Sequence, residues 1–373
     1  MATDTGDVCV IGGGVIGLTA AVALAEDGHR VRVLSRDAAG GTTSAVAGGL
    51  CWPYRIRPYE QAVRWAVRSF HVLAGLARNP EETGARMVTG TMAQAPATAG
   101  RPEGTDDGLA SWYDAVPGLR PARPDELPEG CASGWRARTP LVDMPTHLHY
   151  LEGRLAAAGG DVERYEVTSL EAAGRAADVV VNCSGLGARD LVPDPDVHPV
   201  QGQLVIVANP GIEEWSVTAA PGATETTYAL PQPYGLVLGG TAQEHAWSRE
   251  PDPAVAEAIV ARCARHFPEL ARARILAHRV GLRPARSAVR LVAERLPGGA
   301  RCVHNYGHGG AGVTVAWGCA DEVVHLVREA LDAGWGGTGP GRLAAPRCPW
   351  RAGVSGPPRE RSRAPAPGPA RPR

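Results

Sequence analysis

Val8-Cys9-Val10-Ile11-Gly12-Gly13-Gly14-Val15-Ile16-Gly17 reads as a short buried strand running straight into a glycine-rich turn. An apolar helical stretch follows to about Glu26, Gly28 stops it, and Arg30-Val31-Arg32-Val33-Leu34 begins a second strand. Strand, G-x-G-x-x-G turn, helix and strand at this spacing make a βαβ unit built to hold a dinucleotide. Gly12 permits the tight turn, Gly14 lets the backbone approach a pyrophosphate, and Gly17 lets the helix pack on the sheet. The helix N-terminus, at Val15 and Ile16, offers unpaired N–H groups and partial positive charge to phosphates.

Working outward, Asp178-Val179-Val180-Val181-Asn182-Cys183-Ser184-Gly185 is a second buried strand ending in a small-residue turn. Arg301-Cys302-Val303-His304 is another, followed by a glycine-rich loop through Gly312 and a helix from Val313 to about Leu331. Between these blocks the texture changes. Residues 56–140 mix short helices with a Pro/Gly-rich stretch. Residues 200–280 carry the strand candidates Gln203–Val207, Tyr228–Leu230 and Gly235–Gly239, as expected of a separate sheet. Residues 333–373 hold eight Gly and nine Pro and few large aliphatics, so a disordered tail is expected there.

Composition excludes several chemistries. All 38 basic residues are Arg, so there is no lysine nucleophile, no pyridoxal-phosphate Schiff base and no P-loop. The tail has eight Arg against one acid, which leaves 30 basic and 38 acidic groups in the body. A body that acidic is a poor polyanion-binding surface, and nucleic acid is not an expected partner. The eight cysteines show no C-x-x-C or zinc spacing, so neither a metal site nor a disulfide framework is expected. No run of 18 apolar residues is present, so no membrane span is expected, and cytoplasm is the expected compartment.

The glycine fingerprint alone does not choose among NAD, NADP and FAD. The second strand ends Leu34-Ser35-Arg36-Asp37, which puts a basic residue before the acid that usually holds the ribose. Arg36 would suit the extra phosphate of NADP. The loop Gly40–Tyr54, rich in small and hydroxyl residues, suits a second contact to a flavin instead. Further motifs are Gln201-Gly202-Gln203, Tyr228-Ala229-Leu230-Pro231 and Leu238-Gly239-Gly240. Val280-Gly281-Leu282-Arg283-Pro284 follows, and about twenty residues later His304-Asn305-Tyr306-Gly307-His308-Gly309-Gly310-Ala311-Gly312. On these motifs, and over nearly all of residues 7–332, the chain resembles the D-amino acid oxidase family of FAD-dependent, glutathione-reductase-like flavoenzymes.

That resemblance implies an α/β fold, a Rossmann-type FAD-binding domain with a second, mostly antiparallel β-sheet substrate domain. It implies a discontinuous FAD-binding domain of residues 1–56, 141–200 and 281–332, and a substrate-binding domain of 57–140 and 201–280. The implied reaction passes the α-hydrogen of a D-amino acid to flavin N5 as hydride, with dioxygen as final acceptor. It yields a 2-oxo acid, ammonia and hydrogen peroxide. Arg283 would grip the substrate carboxylate bidentately and Tyr228 would hydrogen-bond it, with Tyr54 and Gly310 also touching substrate. FAD would be held by Gly12, Gly14, Val15, Ile16, Gly17, Ser35, Arg36, Thr42, Thr43, Ser44, Gly49, Leu50, Val167, Ser184 and Gly185. The second loop would add Gly309, Gly310, Gly312, Val313 and Thr314, its N–H groups stabilising negative charge on the flavin. His308 is expected to be structural.

Departures from the family pattern bear on the substrate. Ala311 stands where a bulkier residue, usually aromatic, is common, and Cys51-Trp52 differs from the common order, with its Trp one place later. Ala242 stands where D-aspartate oxidases carry Arg. Neutral D-amino acids are therefore expected, with Arg55 and Arg57 as the two nearby cations. A glycine- or sarcosine-type amine oxidase and a non-catalytic flavin-binding module are the alternatives, and a homodimer is an open assembly.

Overall fold

The computed structural model describes residues 5–53, 55–94, 110–219 and 226–332. Tyr54 and the tail 333–373 lie outside them. Strand Asp7–Ile11 sits at the centre of a six-stranded sheet ordered Arg290–Arg295, Arg301–Tyr306, Val179–Asn182, Asp7–Ile11, Arg30–Ser35 and Asp161–Arg164. All pairs are parallel except the first. Both faces are covered, and the central strands are accordingly almost wholly apolar and buried. Helices Val15–Glu26 and Gly312–Asp332 cover one face and pack on each other. Leu170, Ala173, Cys9, Ile11, Leu34 and Val180 form the core on the other.

Helix Tyr59–Leu76, longer than the short helices expected in this region, leans on Gly312–Asp332. Its buried residues Ala62, Val63, Ala66, Phe70 and Leu73 recur at helical spacing. Trp65 Nε1 donates to Glu322 at 2.7 Å, and the Ser69 hydroxyl accepts from the Trp317 and Gly318 N–H groups.

The second sheet has nine strands and is antiparallel except where Ala85–Gln94 runs parallel to Trp215–Ala219. Strand His198–Val207 pairs along its length with Ile275–Ala285. Alternation splits its residues. Val205 and Val207 bury against helix Pro253–His266, while Leu204 and Ile206 face the main core. Three of the domain limits expected from the sequence fall inside strands of this sheet: 140/141 within Ser133–Val142, 200/201 within His198–Val207, and 280/281 within Ile275–Ala285. A strand is held along its whole ladder, so Arg283 stands on the antiparallel sheet and not on the dinucleotide-binding one.

Candidate active site

A cavity of about 1200 Å³ opens at the C-terminal ends of the parallel strands and continues under the second sheet. In parallel α/β sheets ligands bind at that end. Every residue expected to hold the cofactor lines it: Gly12, Gly14, Val15, Ile16, Gly17, Ser35, Arg36, Thr42, Thr43, Ser44, Gly49, Leu50, Val167, Ser184, Gly185, Gly309, Gly310, Gly312, Val313 and Thr314. Tyr228 and Arg283 line it too. The expected substrate contact Tyr54 lies outside the described residues.

The first turn is built by its hydroxyls. Ser35 Oγ accepts from Gly13 N–H at 3.1 Å and donates to the Asp37 carbonyl, while Ser44 Oγ accepts from Val15 N–H at 3.0 Å. Gly12 has φ +113°, which favours glycine, and a Cβ there would collide with the Cys183 carbonyl. A Cβ on Gly14 would meet only Ser44 Oγ, at 3.0 Å, so its bareness clears room on the cavity side. Thr43 Oγ1 donates to Leu282 O at 2.9 Å, tying this loop to the strand that carries Arg283. Arg36 pairs with Asp37 at 3.0 Å in an exposed position, which neutralises the cation that suggested NADP. A bare glycine cradle, a helix N-terminus and a long cavity continuing to a second glycine loop fit FAD.

The second loop departs from expectation in one respect. Gly309 N–H already donates to Pro284 O at 2.8 Å, and Ala311 N–H to His308 O at 3.0 Å. These two donors fold the loop. The N–H groups left for a ligand are those of Gly310 and of the first helical turn, Gly312 to Thr314. Thr314 Oγ1 meanwhile accepts from Trp52 N–H at 3.2 Å. His308 is 4% exposed, and burial pushes its imidazole down to about 3, so it is neutral near pH 7. Its Nε2 lies 3.7 Å from Cys319 Sγ, a structural contact.

Arg283 and Tyr228 meet on the second sheet. Arg283 Nη1 donates to Thr241 O at 2.9 Å, and its guanidinium lies so flat on Gly202 that any Cβ there would collide with it. Tyr228 likewise lies on Gly239 and Gly240. Burial pushes the Tyr228 phenol up, and the neighbouring Arg283, which also hydrogen-bonds it, acts in the opposite direction. Glycines inside strands mark such close approaches, so Gln201-Gly202-Gln203 and Leu238-Gly239-Gly240 are clearances for the two side chains. A Cβ on Gly310 would come within 3.2 Å of Arg283 Cδ, so the second glycine loop and Arg283 adjoin.

Register sets what lies beside Tyr228. Met92 pairs with Val217, Val217 with Tyr228, Tyr228 with Gly239 and Gly239 with Leu204, and all but Gly239 line the cavity. Residues in register share a face, so the wall flanking the phenol is apolar. Trp52 also lines the cavity, propped against Trp112 and Trp215 with ring centroids 5.8 Å apart in each pair. Sequence reasoning missed Met92, Val217 and Thr241, whose roles come from pairing across distant segments. Arg55 lines the cavity, whereas Arg57 does not.

A model of the family described as FAD dependent oxidoreductase matches residues 7–326. The chain is 58% identical over 322 residues to a D-amino-acid oxidase of Streptomyces coelicolor, covering 86% of this chain and 96% of that one. It is 50% identical, with the same coverage, to a D-amino-acid oxidase of Rubrobacter xylanophilus. Among solved structures, glycine oxidase from Geobacillus kaustophilus superimposes with a TM-score of 0.71 at 21% identity, covering 87% of this chain and 95% of that one, which speaks to the fold alone.

Proposed function

The chain belongs to the FAD-dependent oxidoreductase family, and from that premise we propose the following reading of its site. The protein is a D-amino acid oxidase that oxidatively deaminates D-amino acids with FAD, giving a 2-oxo acid and ammonia. The observation that carries the reading is the meeting of Arg283 and Tyr228 at one wall of the cavity that both glycine loops line. Bound FAD supplies a two-electron sink for the substrate's α-hydrogen, with dioxygen as the acceptor that returns it to the oxidised state.

The protein's own part is positioning. The bare turn at Gly14 and the positive end of the helix that follows it would hold the pyrophosphate, the Gly12, Gly13 and Val15 N–H groups being used to fold the turn itself. The N–H groups of Gly310 and of Gly312 to Thr314 supply positive dipole at the other end of the cofactor. Arg283 binds the substrate carboxylate through its planar fork, and Tyr228 donates to the same group. Two anchors on one carboxylate fix the α-carbon, which is where the gain from orientation arises. Neither neutral His308 nor Cys183, whose thiol burial pushes far up, exchanges protons near pH 7. The apolar row of Met92, Val217 and Leu204 supports neutral D-amino acids over acidic ones.

The test is the visible spectrum of the purified protein. Flavin bands that bleach anaerobically with D-Ala or D-Val, but not with their L-enantiomers, are expected, with hydrogen peroxide formed on readmitting air. D-Asp should bleach them far more slowly at equal concentration. Bleaching by glycine or sarcosine and not by D-Ala would overturn the reading.

A further inference from the structure

Strand Arg301–Tyr306 ends at the cavity, and Asn305 is its penultimate residue. The side chain is 1% exposed, yet neither its Nδ2 nor its Oδ1 makes a well-formed hydrogen bond. A polar group within its reach is the Cys183 thiol. A thiol is a weak donor and a weak acceptor, and it can serve at most part of an amide that offers two donor hydrogens and two acceptor lone pairs. Among the described residues several other buried side chains carry an unpartnered nitrogen or oxygen, including Thr19, Thr139, Trp112 and Trp317. Of that set, Asn305 alone lines the cavity. An amide left buried and unpaired forfeits its hydration with nothing in return, and such groups in native proteins call for a partner.

The location narrows what that partner is. His304, one residue earlier, turns to the opposite side of the sheet and bonds Asn182 and Glu294. Asn305 therefore faces the side of the first glycine turn. Cys183, beside it, carries the carbonyl that any side chain at Gly12 would strike. The amide thus stands behind the turn that cradles the pyrophosphate, at the strand ends where a dinucleotide lies.

We propose that Asn305 is a flavin-positioning residue, its amide hydrogen-bonding the bound dinucleotide directly or through one enclosed water. This rests on the FAD reading above and adds a contact outside the two glycine loops and the hydroxyl loop. A residue with a purely structural role stabilises the protein with or without cofactor. A residue whose partner is the cofactor destabilises the apoprotein and strengthens only the complex.

The experiment compares wild type, Asn305→Leu and Asn305→Ser, each stripped of flavin and titrated with FAD by fluorescence quenching, with thermal unfolding followed before and after saturation. Apo Asn305→Leu should unfold at or above the wild-type apo temperature, while its Kd for FAD weakens about ten- to a hundredfold. Asn305→Ser, which keeps one donor and acceptor, should fall between the two. An Asn305→Leu apoprotein of normal stability that binds FAD within twofold of wild type would overturn the proposal. A drop in apo stability with unchanged Kd would do so equally. If Asn305→Leu does not fold, the Kd of Asn305→Ser decides by the same criterion. Wild-type protein that takes up no FAD would instead overturn the cofactor reading itself.

Discussion

Arg283 presents a planar guanidinium fork at the cavity wall, and the chain offers no Lys that could replace it. Its backbone position is fixed by the ladder to Val200, and its fork by Thr241 O on one side and Tyr228 on the other. Removing one partner of a desolvated charge pair costs about 3–5 kcal/mol, or on the order of 10²–10⁴ in kcat/KM. Arg283→Ala should therefore lose that much activity toward D-Ala while still binding FAD, and Arg283→Lys should recover only part of it. Steady-state kinetics on flavin-loaded protein check this; a loss of only a few-fold would move the anchor to Arg55, which also lines the cavity. Arg283 was legible in the sequence because it sits inside a rare motif next to a proline. The Thr241 carbonyl that orients it was not, because a backbone acceptor 42 residues away leaves no mark on composition or spacing.

The βαβ element shows the same division between local and distant information. Helix Val15–Glu26 begins and ends where the glycines and the apolar run place it, since turn and period are both local signals. The strands Ala85–Gln94 and Ser133–Val142, by contrast, follow no strict alternation and owe their state to partners across the sheet. Within the turn, glycines that look alike do different jobs. A side chain at Gly14 meets only a hydroxyl at the cavity edge, whereas one at Gly17 collides with the Gly12 carbonyl. Gly14→Val should thus purify as folded, largely colourless apoprotein, with circular dichroism close to wild type. Gly17→Ala should lose the packing of helix on turn, lowering thermal stability even in excess FAD. Equal effects of the two substitutions on fold and flavin content would show that the turn does not separate these roles.

At the scale of the whole molecule, stability should depend on keeping buried imidazoles neutral. Of eleven histidines, His29, His147, His266, His304 and His308 are all pushed below their ordinary range, in each case mainly by burial. The unfolded chain binds protons on these groups near pH 6.5, while the native state refuses them until lower pH. Their contribution is therefore complete above that range and lost as pH falls toward the folded values. The buried carboxylates act lower down. Burial opposes ionisation of Asp194, but bonds from Tyr306 and Arg286 outweigh it and leave its carboxyl below the ordinary range, so its contribution is lost only below about pH 4. Between pH 7 and pH 5 the histidines dominate. For His308, held at about 3, the shift across that interval costs about 2 kcal/mol. Urea unfolding of the apoprotein should accordingly show stability falling steadily from pH 7 to pH 5. His308→Leu removes a proton taken up on unfolding, so the mean slope of unfolding free energy against pH between 6.5 and 5 should shrink by about 1 kcal/mol per pH unit. An unchanged slope in a folded His308→Leu protein would mean that His308 takes up its proton as readily in the native state as in the unfolded chain, against the burial that holds it low.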